Sequence, residues 1–396
     1  MIDASRRTAN FDYAIRSLIT AARALEREGH KVTYLNIGDP QAFGFKPPEH
    51  IIEPVQRALR DGFTGYAPSA GLLEAKEAVA SYATALGAPT SPEEVVLTSG
   101  ASEAAELALT ALVNSGDEVL VPSPGYPLYP AILSKLGVDT RYYQLNPDRG
   151  WEPSVSEVRS LINKRTRALV LINPNNPTGS VTANNTTYGL LKLASEHRVP
   201  VISDEVYREL CFTSPPASAS VMAPAISTPL ITLESLSKTH LIPGWRVGWM
   251  RFTNTERITS VVNAISKLAS GRLCSPTPTQ YAIRPALEGT KEFLGEFVQE
   301  IRKRRDYAIE RIKAISGLSS DVPSAAFYLM MRVADLKNRT DEKFALELLE
   351  KTGVLVVHGS GFGLDPFDGY FRLVYLASEE VLESTFDAIQ KLIKAR

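Results

Sequence analysis

The sequence predicts an α/β protein with a large domain, built on a mostly parallel central sheet covered by helices, and a smaller α/β domain. Between about residues 95 and 250, short apolar strands alternate with polar or glycine-rich turns and amphipathic helices. This alternation is typical of a parallel sheet that is buried on both faces. Beyond about Leu287 the pattern changes to a long charged helix followed by mixed strands and helices. A chain of 396 residues is long enough for both domains.

The first elements precede this alternation. Apolar residues from Ile15 to Leu25 recur on one face of a predicted helix, which Gly29 would end. A short extended segment, 32–37, follows. In the large domain the predicted strands are 95–97, 118–121, 168–172, 201–202, 230–233 and 247–249. The predicted helices between them include 102–113, 154–162 and 188–196. Ser91 and Ser154 each stand three residues before a glutamate, the spacing of a capping box.

The carboxyl-terminal part predicts a second set of elements. A charged helix is expected over 292–315, and the later helices over 341–351 and 379–394. The mixed strands are 326–333, 354–357 and 371–376. We therefore predict a large domain at 46–286 and a discontinuous small domain made of 1–45 with 287–396.

Composition excludes several classes of protein. Lys and Arg number 43 against 44 Asp and Glu, and this net charge of -1 argues against a general nucleic-acid or anionic-membrane binder. No apolar run approaches the roughly 18 residues of a membrane span, and residues 1–10 carry no signal-peptide stretch. Cys211 and Cys274 lack metal-site spacing, and the histidines form no metal motif, so no metal is expected. These features favour a reducing, cytoplasmic location.

Polar residues that directly follow the apolar strands are the candidates for chemistry, because ligands bind at the carboxyl ends of such strands. The segment 98–103 begins a predicted helix. Its small residues would let backbone N–H groups approach an anion. The alternative is that Ser102 only caps that helix. The segment 173–179 places three amides in four residues after another strand, although its prolines would form a rigid turn in any case.

Two further strand ends carry charged groups. Asp204 follows the strand 201–202, where burial would be costly unless the carboxylate meets a cation. Lys238 follows the strand 230–233 among hydroxyl groups, where an amine with a lowered pKa could act as a nucleophile. Arg246 lies eight positions further on and could pair with a phosphate. Taken singly, each is better explained without a function: Asp204 as a solvated loop acid or a helix cap, Lys238 as a surface lysine and Arg246 as a structural arginine.

Together, these groups are the parts that a pyridoxal phosphate site requires: an amine for the Schiff base, an acid for the pyridine nitrogen and anion binders for the phosphate. The chain from about Tyr13 onward resembles the fold-type I aminotransferases of class I, and within them the bacterial and archaeal glutamate–pyruvate (alanine) aminotransferases. The matching segments are 36–40, 43–45, 65–66, 124–128, 173–179, 204–207 and 235–248. The Ser-x-Ser-Lys…Gly-x-Arg-x-Gly portion of 235–248 is the most specific of them.

The resemblance implies a role for each matched position around the cofactor ring. Lys238 would hold pyridoxal phosphate as an internal aldimine and later move the proton between the substrate Cα and the cofactor. Asp204 would pair with the pyridinium nitrogen, and Tyr126 would stack on the ring. Tyr207 and Asn176 would hydrogen-bond the 3′ oxygen of the ring.

The resemblance also assigns the phosphate and the substrate carboxylate. The phosphate would meet the N–H groups of Ala101 and Ser102, the hydroxyls of Ser235 and Ser237, and the Arg246 guanidinium. Tyr66 would reach the phosphate of a neighbouring subunit, which implies a homodimer with shared active sites. Arg372 would clamp the substrate α-carboxylate, and Gly38 with Asn176 would complete that carboxylate site.

The implied reaction is a ping-pong transfer of an amino group from L-alanine to 2-oxoglutarate, so an amino acid and a 2-oxo acid are the expected partners. For the distal carboxylate of glutamate we expect Arg16, with Tyr13 nearby; the alternative is a helix whose arginine faces solvent. Gly125 stands where relatives often carry an acid, and the approach to Arg246 reads Ile-Pro-Gly-Trp. These departures leave aspartate, aromatic or branched-chain donors open. A lyase or a non-catalytic cofactor-binding regulator are the further alternatives.

Overall fold

The computed structural model describes residues 2, 3, 5 and 18–394. Its α-helices are α1 (Ile19–Arg27), α2 (Glu49–Arg60), α3 (Leu73–Ala85), α4 (Ala101–Leu112), α5 (Leu128–Leu136), α6 (Val155–Leu161), α7 (Asn184–Glu196), α8 (Ala219–Met222), α9 (Leu236–Thr239), α10 (Thr259–Gly271), α11 (Thr277–Gln280), α12 (Ile283–Glu288), α13 (Glu292–Lys313), α14 (Asp341–Thr352) and α15 (Glu379–Lys394). Its strands are β1 (Thr33–Tyr34), β2 (Val95–Ser99), β3 (Glu118–Ser123), β4 (Asp139–Asn146), β5 (Glu152–Pro153), β6 (Thr166–Ile172), β7 (Val201–Asp204), β8 (Leu230–Ser235), β9 (Val247–Thr253), β10 (Leu318–Ser320), β11 (Tyr328–Val333), β12 (Val354–Leu355), β13 (Val357–His358) and β14 (Tyr370–Val374).

The central sheet has eight strands in the order β2-β9-β8-β7-β6-β3-β4-β5. The five central strands β8, β7, β6, β3 and β4 run parallel to one another. Strand β9 runs antiparallel to both β2 and β8, and β5 runs antiparallel to β4. The prediction of an α/β fold with a mostly parallel central sheet is confirmed.

Helices cover both faces of this sheet. Successive residues of a strand point to opposite faces, so neighbouring residues pack against different helices. Val170 and Ile202 belong to a buried apolar cluster that includes residues of α4. Their neighbours Leu169 and Val201 belong to a second cluster that includes residues of α7. The continuous apolar character of these strands therefore reflects burial on two sides.

A second, antiparallel sheet has the order β10-β11-β14-β13. Its core is shared with α13, α14 and α15, and with residues near the amino end such as Ala22 and Leu35. Strand β1 pairs in parallel with β12, with Thr33 opposite Val354. The domain division at 46–286 and at 1–45 with 287–396 stays a prediction.

Several local details differ from the sequence prediction. The amino-terminal cap of α4 is Gly100, with φ 77°, so the alternative that Ser102 caps this helix is wrong. Ser154 accepts a hydrogen bond from the Glu157 N–H as expected, but the Glu157 carboxylate accepts from the Gln144 N–H instead of returning to the cap. None of the described helices is long and apolar enough to cross a membrane.

A buried ion pair lies behind the end of β8. The Arg251 guanidinium is fully buried, and its Nε donates to Glu234 Oε2 at 2.6 Å. Trp249 Nε1 donates to the same oxygen at 2.9 Å. Breaking such a pair leaves an uncompensated charge inside the protein, which is far more costly than loss of an exposed pair.

We therefore expect Glu234→Gln to lower the free energy of unfolding by about 3–5 kcal/mol, because Gln keeps the shape but leaves the Arg251 charge unpaired. The thermal unfolding midpoint should fall by about 4–6 °C, measured by differential scanning calorimetry. The control is Arg57→Ala, which removes the ion pair between Arg57 and Glu53. Both of these side chains are 66% exposed. A Glu234→Gln midpoint as high as that of the control would contradict the expectation.

Candidate active site

One edge of the central sheet collects the predicted site residues. In the β9 pairings Ser99 lies opposite Val247 and Ser235 lies opposite Gly248, so the amino end of β9 meets the carboxyl ends of β2 and β8. A cavity opens at this edge, with about 620 Å³ of empty space when its opening to solvent is included. It is lined by Ala101, Ser102, Tyr126, Leu128, Ile172, Asn176, Asp204, Val206, Tyr207, Ser235, Ser237, Lys238, Pro243 and Arg246. Every predicted cofactor-binding residue except Tyr66 is among them.

Asp204 is a buried acid at the end of β7. Its Oδ2 accepts a hydrogen bond from the Tyr129 hydroxyl at 2.9 Å, and its Oδ1 accepts from the Val206 N–H at 3.3 Å. Burial raises the pKa of Asp204 to about 6, although both hydrogen bonds act in the opposite direction. Across residues 18–394 no lysine or arginine forms an ion pair with this carboxylate. The site therefore suits a cation that comes from a ligand.

Lys238 lies in the short helix α9, directly after β8. Its Nζ donates to the carbonyl oxygen of Gly38 at 2.6 Å. Burial lowers the pKa of Lys238 to about 8, and the positive charges of Arg372 and Arg246 lower it further while Asp39 opposes them. An amine with this pKa is partly neutral near physiological pH, as a nucleophile or a proton acceptor requires.

The opposite end of the cavity presents donors suited to an anion. The N–H groups of Ala101 and Ser102 open the twelve-residue helix α4, where an α-helix leaves its first donors unpaired and carries partial positive charge. The Ser235 hydroxyl lies 2.7 Å from the Ser237 hydroxyl. Arg246, directly before β9, adds a guanidinium group to these donors.

Two glycines let the turn before α4 pack against Arg246 and against β9. Arg246 itself adopts a left-handed conformation, φ 58°, and donates from Nη2 to the Ser99 carbonyl oxygen at 3.0 Å. A Cβ on Gly100 would lie 2.4 Å from Arg246 Nη2, and Gly100 also has a positive φ. A Cβ on Gly248 would lie 2.7 Å from the Ala101 nitrogen. The turn before α4 and the arginine can pack together only because both positions lack side chains.

The carboxylate-binding residues predicted from the sequence lie beside the cavity. Arg372 is 1% exposed, and its Nη1 donates to Asn176 Oδ1 at 2.9 Å. Its Nη2 donates to the Asn36 carbonyl oxygen. The Gly38 carbonyl oxygen, two residues further along the chain than Asn36, accepts from the Lys238 amine. The structure therefore brings Gly38, Asn176 and Arg372 together near the end of the lysine side chain.

One predicted residue lies away from this group, and two others are not among the described residues. Tyr66 is 82% exposed and does not line the cavity of its own chain. Tyr13 and Arg16 lie outside the described residues. Their roles remain predictions from the sequence.

The structure adds residues that the sequence analysis missed. The Tyr129 hydroxyl donates to Asp204, and Tyr129 directly follows the matched segment 124–128, at the start of α5. Tyr328, at the start of β11, contacts both Tyr207 and Arg372. Neither tyrosine lies in a motif, and Tyr328 comes to the site from a distant sheet.

The residues fit pyridoxal phosphate. The buried Asp204 carboxylate would meet the protonated pyridine nitrogen, and the Lys238 amine would meet the aldehyde. The donors of α4, Ser235, Ser237 and Arg246 match a phosphate dianion.

Comparison with known proteins agrees with this site. The family profile for aminotransferase class I and II matches residues 30–389. The chain is 34% identical to the glutamate-pyruvate aminotransferase AlaA of Escherichia coli K12 over 402 residues, which covers 99% of this chain and 98% of that protein. The solved structure of an alanine aminotransferase from Pyrococcus furiosus has a TM-score of 0.96 and 37% identity, with 100% of both chains covered.

A solved variant of the aspartate aminotransferase of Thermus thermophilus is also similar, with a TM-score of 0.90, 33% identity and coverage of 99% of this chain and 100% of that one. The fold, the cavity and these full-length matches lead to one conclusion. The chain belongs to the class I and II aminotransferases, fold-type I enzymes that depend on pyridoxal phosphate.

Proposed function

We propose that this aminotransferase moves the amino group of L-alanine to 2-oxoglutarate, giving pyruvate and L-glutamate in two half-reactions. The observation that carries the proposal is that the Lys238 amine lies in one cavity with Asp204 and bonds Gly38, next to the Arg372 guanidinium. The choice of substrates is supported by full-length relatives that bear the names glutamate-pyruvate and alanine aminotransferase.

Lys238 has two tasks in this proposal. When bound, pyridoxal phosphate supplies the aldehyde that takes the amino group and a ring that stabilises negative charge at the substrate Cα. The Lys238 amine first provides the covalent attachment. Once free, it accepts the proton from the substrate Cα and returns a proton on the cofactor side, for which its lowered pKa of about 8 is suited.

The other residues hold charge and orientation. With the cofactor bound, Asp204 would keep a positive charge on the pyridine nitrogen, and Tyr207 and Asn176 would hydrogen-bond the neighbouring ring oxygen. Tyr126 would pack against the ring. Arg372 binds the substrate α-carboxylate, and its own hydrogen bond to Asn176 fixes the plane of the guanidinium before the substrate arrives.

An apolar surface next to the phosphate end supports the homodimer. Phe63, Tyr66 and Leu73 are 49%, 82% and 60% exposed, and Leu273 is 52% exposed. The Thr277 hydroxyl donates to the Gly65 carbonyl oxygen at 2.7 Å, so the segment that contains Phe63 and Tyr66 contacts the segment that follows Leu273. Exposed apolar side chains that lie together are typical of an interaction surface. A partner seated there would receive Tyr66 close to its phosphate site.

We propose a reducing, cytoplasmic location for the protein. Cys211 and Cys274 are both free thiols in the structure, which agrees with the expected reducing cytoplasm.

The first test is the visible spectrum of the purified holoenzyme. We expect the absorption band of the bound cofactor to fade when L-alanine is added without an oxo acid, and to return with 2-oxoglutarate. The matched control, Lys238→Ala, should show neither change, because it lacks both the attachment point and the proton carrier. If the band does not change with alanine but changes with aspartate or an aromatic amino acid, the proposed donor is wrong and the proposed cofactor chemistry still holds. Full turnover by Lys238→Ala would refute the mechanism.

The pKa of Lys238 predicts how cofactor attachment depends on pH. Only the neutral amine attacks the aldehyde, so the rate at which apoprotein binds pyridoxal phosphate covalently should rise about tenfold per pH unit at low pH. It should level off above pH about 8 rather than 10.5, because burial lowers the pKa of this amine. Stopped-flow absorbance between pH 6 and 10 measures the profile. A plateau reached only near 10.5 would contradict the site geometry.

Arg16 is proposed to bind the distal carboxylate of glutamate, on the sequence alone. Arg16→Ala should raise the KM for glutamate by about tenfold or more while changing the KM for alanine less than about twofold, because alanine has no second carboxylate. Steady-state kinetics in both directions measure the split. The control is Arg27→Ala, an exposed arginine at the end of α1. Equal losses for the two substrates would refute the assignment.

A further inference from the structure

Tyr328 is a buried tyrosine that reaches the site from the second sheet. It begins β11 and pairs with Val374 of β14, two residues from Arg372. Side chains two residues apart share a face of a sheet, so Tyr328 and Arg372 project to the same side of the antiparallel pair. Only 3% of Tyr328 is exposed.

The Tyr328 hydroxyl lies 2.6 Å from the Tyr207 hydroxyl. Either oxygen could donate in this pair. However, if Tyr207 donates its proton to the ring oxygen of the cofactor, its own oxygen can only accept from Tyr328. A hydrogen bond received in this way makes the Tyr207 hydroxyl a stronger donor, because hydrogen bonds in a chain polarise one another.

The Tyr328 ring has a separate contact. The Arg372 guanidinium carbon lies 4.6 Å from the centroid of this ring and 4.8 Å from that of Phe362. Aromatic rings at this distance attract a cation, and the attraction is larger where water is excluded. The ring therefore limits the position of the guanidinium independently of the Asn176 hydrogen bond.

A third contact reaches the backbone beside the lysine. A Cβ on Gly38 would lie 2.5 Å from the Tyr328 hydroxyl oxygen, so the tyrosine packs directly on this glycine. The Gly38 carbonyl oxygen is the acceptor for the Lys238 amine. Tyr328 thus touches residues on the cofactor side and on the carboxylate side of the cavity.

We propose that Tyr328 is a positioning residue of this active site: its hydroxyl donates to Tyr207 and strengthens the bond from Tyr207 to the cofactor, while its ring supports the Arg372 guanidinium. The proposal rests on the roles given to Tyr207 and Arg372 in the proposed function. It predicts two separable effects, one through the hydroxyl and one through the ring.

The hydroxyl effect is measured on the holoenzyme without substrate, by following the visible absorption of the bound cofactor between pH 5 and 10. Tyr328→Phe keeps the ring and should raise the midpoint of this titration by roughly 0.5 pH unit, because Tyr207 then favours the ionised ring oxygen less. In a Tyr207→Phe background the same substitution should add no further shift. An unchanged midpoint, or a shift that persists in that background, would overturn the hydroxyl role.

The ring effect appears in substrate binding. Tyr328→Met removes the aromatic face and should raise the KM for the amino donor about tenfold, whereas Tyr328→Phe should raise it less than about twofold. Tyr328→Leu replaces the Met variant if that protein does not fold. Equal KM values for the Phe and aliphatic variants would overturn the ring role.

The matched control is Tyr143→Phe, another buried tyrosine whose hydroxyl donates to a backbone carbonyl oxygen, that of Val170, at 2.8 Å. It should leave the spectral midpoint unchanged. The spectral titration needs no substrate, so it also separates the two proposals. A holoenzyme that ignores alanine yet shows the Tyr328→Phe shift would refute the substrate choice alone. A holoenzyme that transaminates alanine without the shift would refute the role of Tyr328.

Discussion

The candidate site depends on one buried guanidinium that joins three distant segments. Arg372 reaches from β14 of the second sheet to Asn176, after β6 of the central sheet, and to the carbonyl oxygen of Asn36 near the amino end. A buried cation is costly unless its donors are satisfied. The two sheets and the amino-terminal segment must therefore pack in register for this residue to be tolerated. The carboxylate-binding end of the cavity exists only in that packed arrangement.

Burial acts in opposite directions on the two central ionisable groups. It raises the pKa of Asp204 to about 6 and lowers that of Lys238 to about 8. At pH 7 an acid with a raised pKa and an amine with a lowered pKa both carry charge at a cost to the folded protein. A ligand that brings a cation to the acid and consumes the free amine relieves both costs. Cofactor binding and folding stability are thus linked through the same two residues.

The sequence predicts β6, β7 and β8 of the central sheet well because each of them is largely apolar and ends in polar residues. The same rule identifies Asp204 and Lys238 as candidate site residues. It does not predict β4, whose residues are largely polar and only partly buried along the strand. Tyr328 was missed for a different reason. Its local sequence is that of an ordinary buried strand, and only the tertiary packing of the second sheet brings its hydroxyl to Tyr207.

The antiparallel direction of β9 has a consequence for how this protein can vary. Strands β8 and β9 are consecutive in the chain and adjacent in the sheet, so Lys238 and Arg246 sit on one short connection between them. Both ends of that connection are fixed by the pairing of Ser235 with Gly248. Inserting or deleting a residue there would displace the amine and the phosphate-binding arginine relative to each other. The length of this connection is therefore constrained in a way that the exposed loops are not, which makes it a poor place for domain insertion or circular permutation.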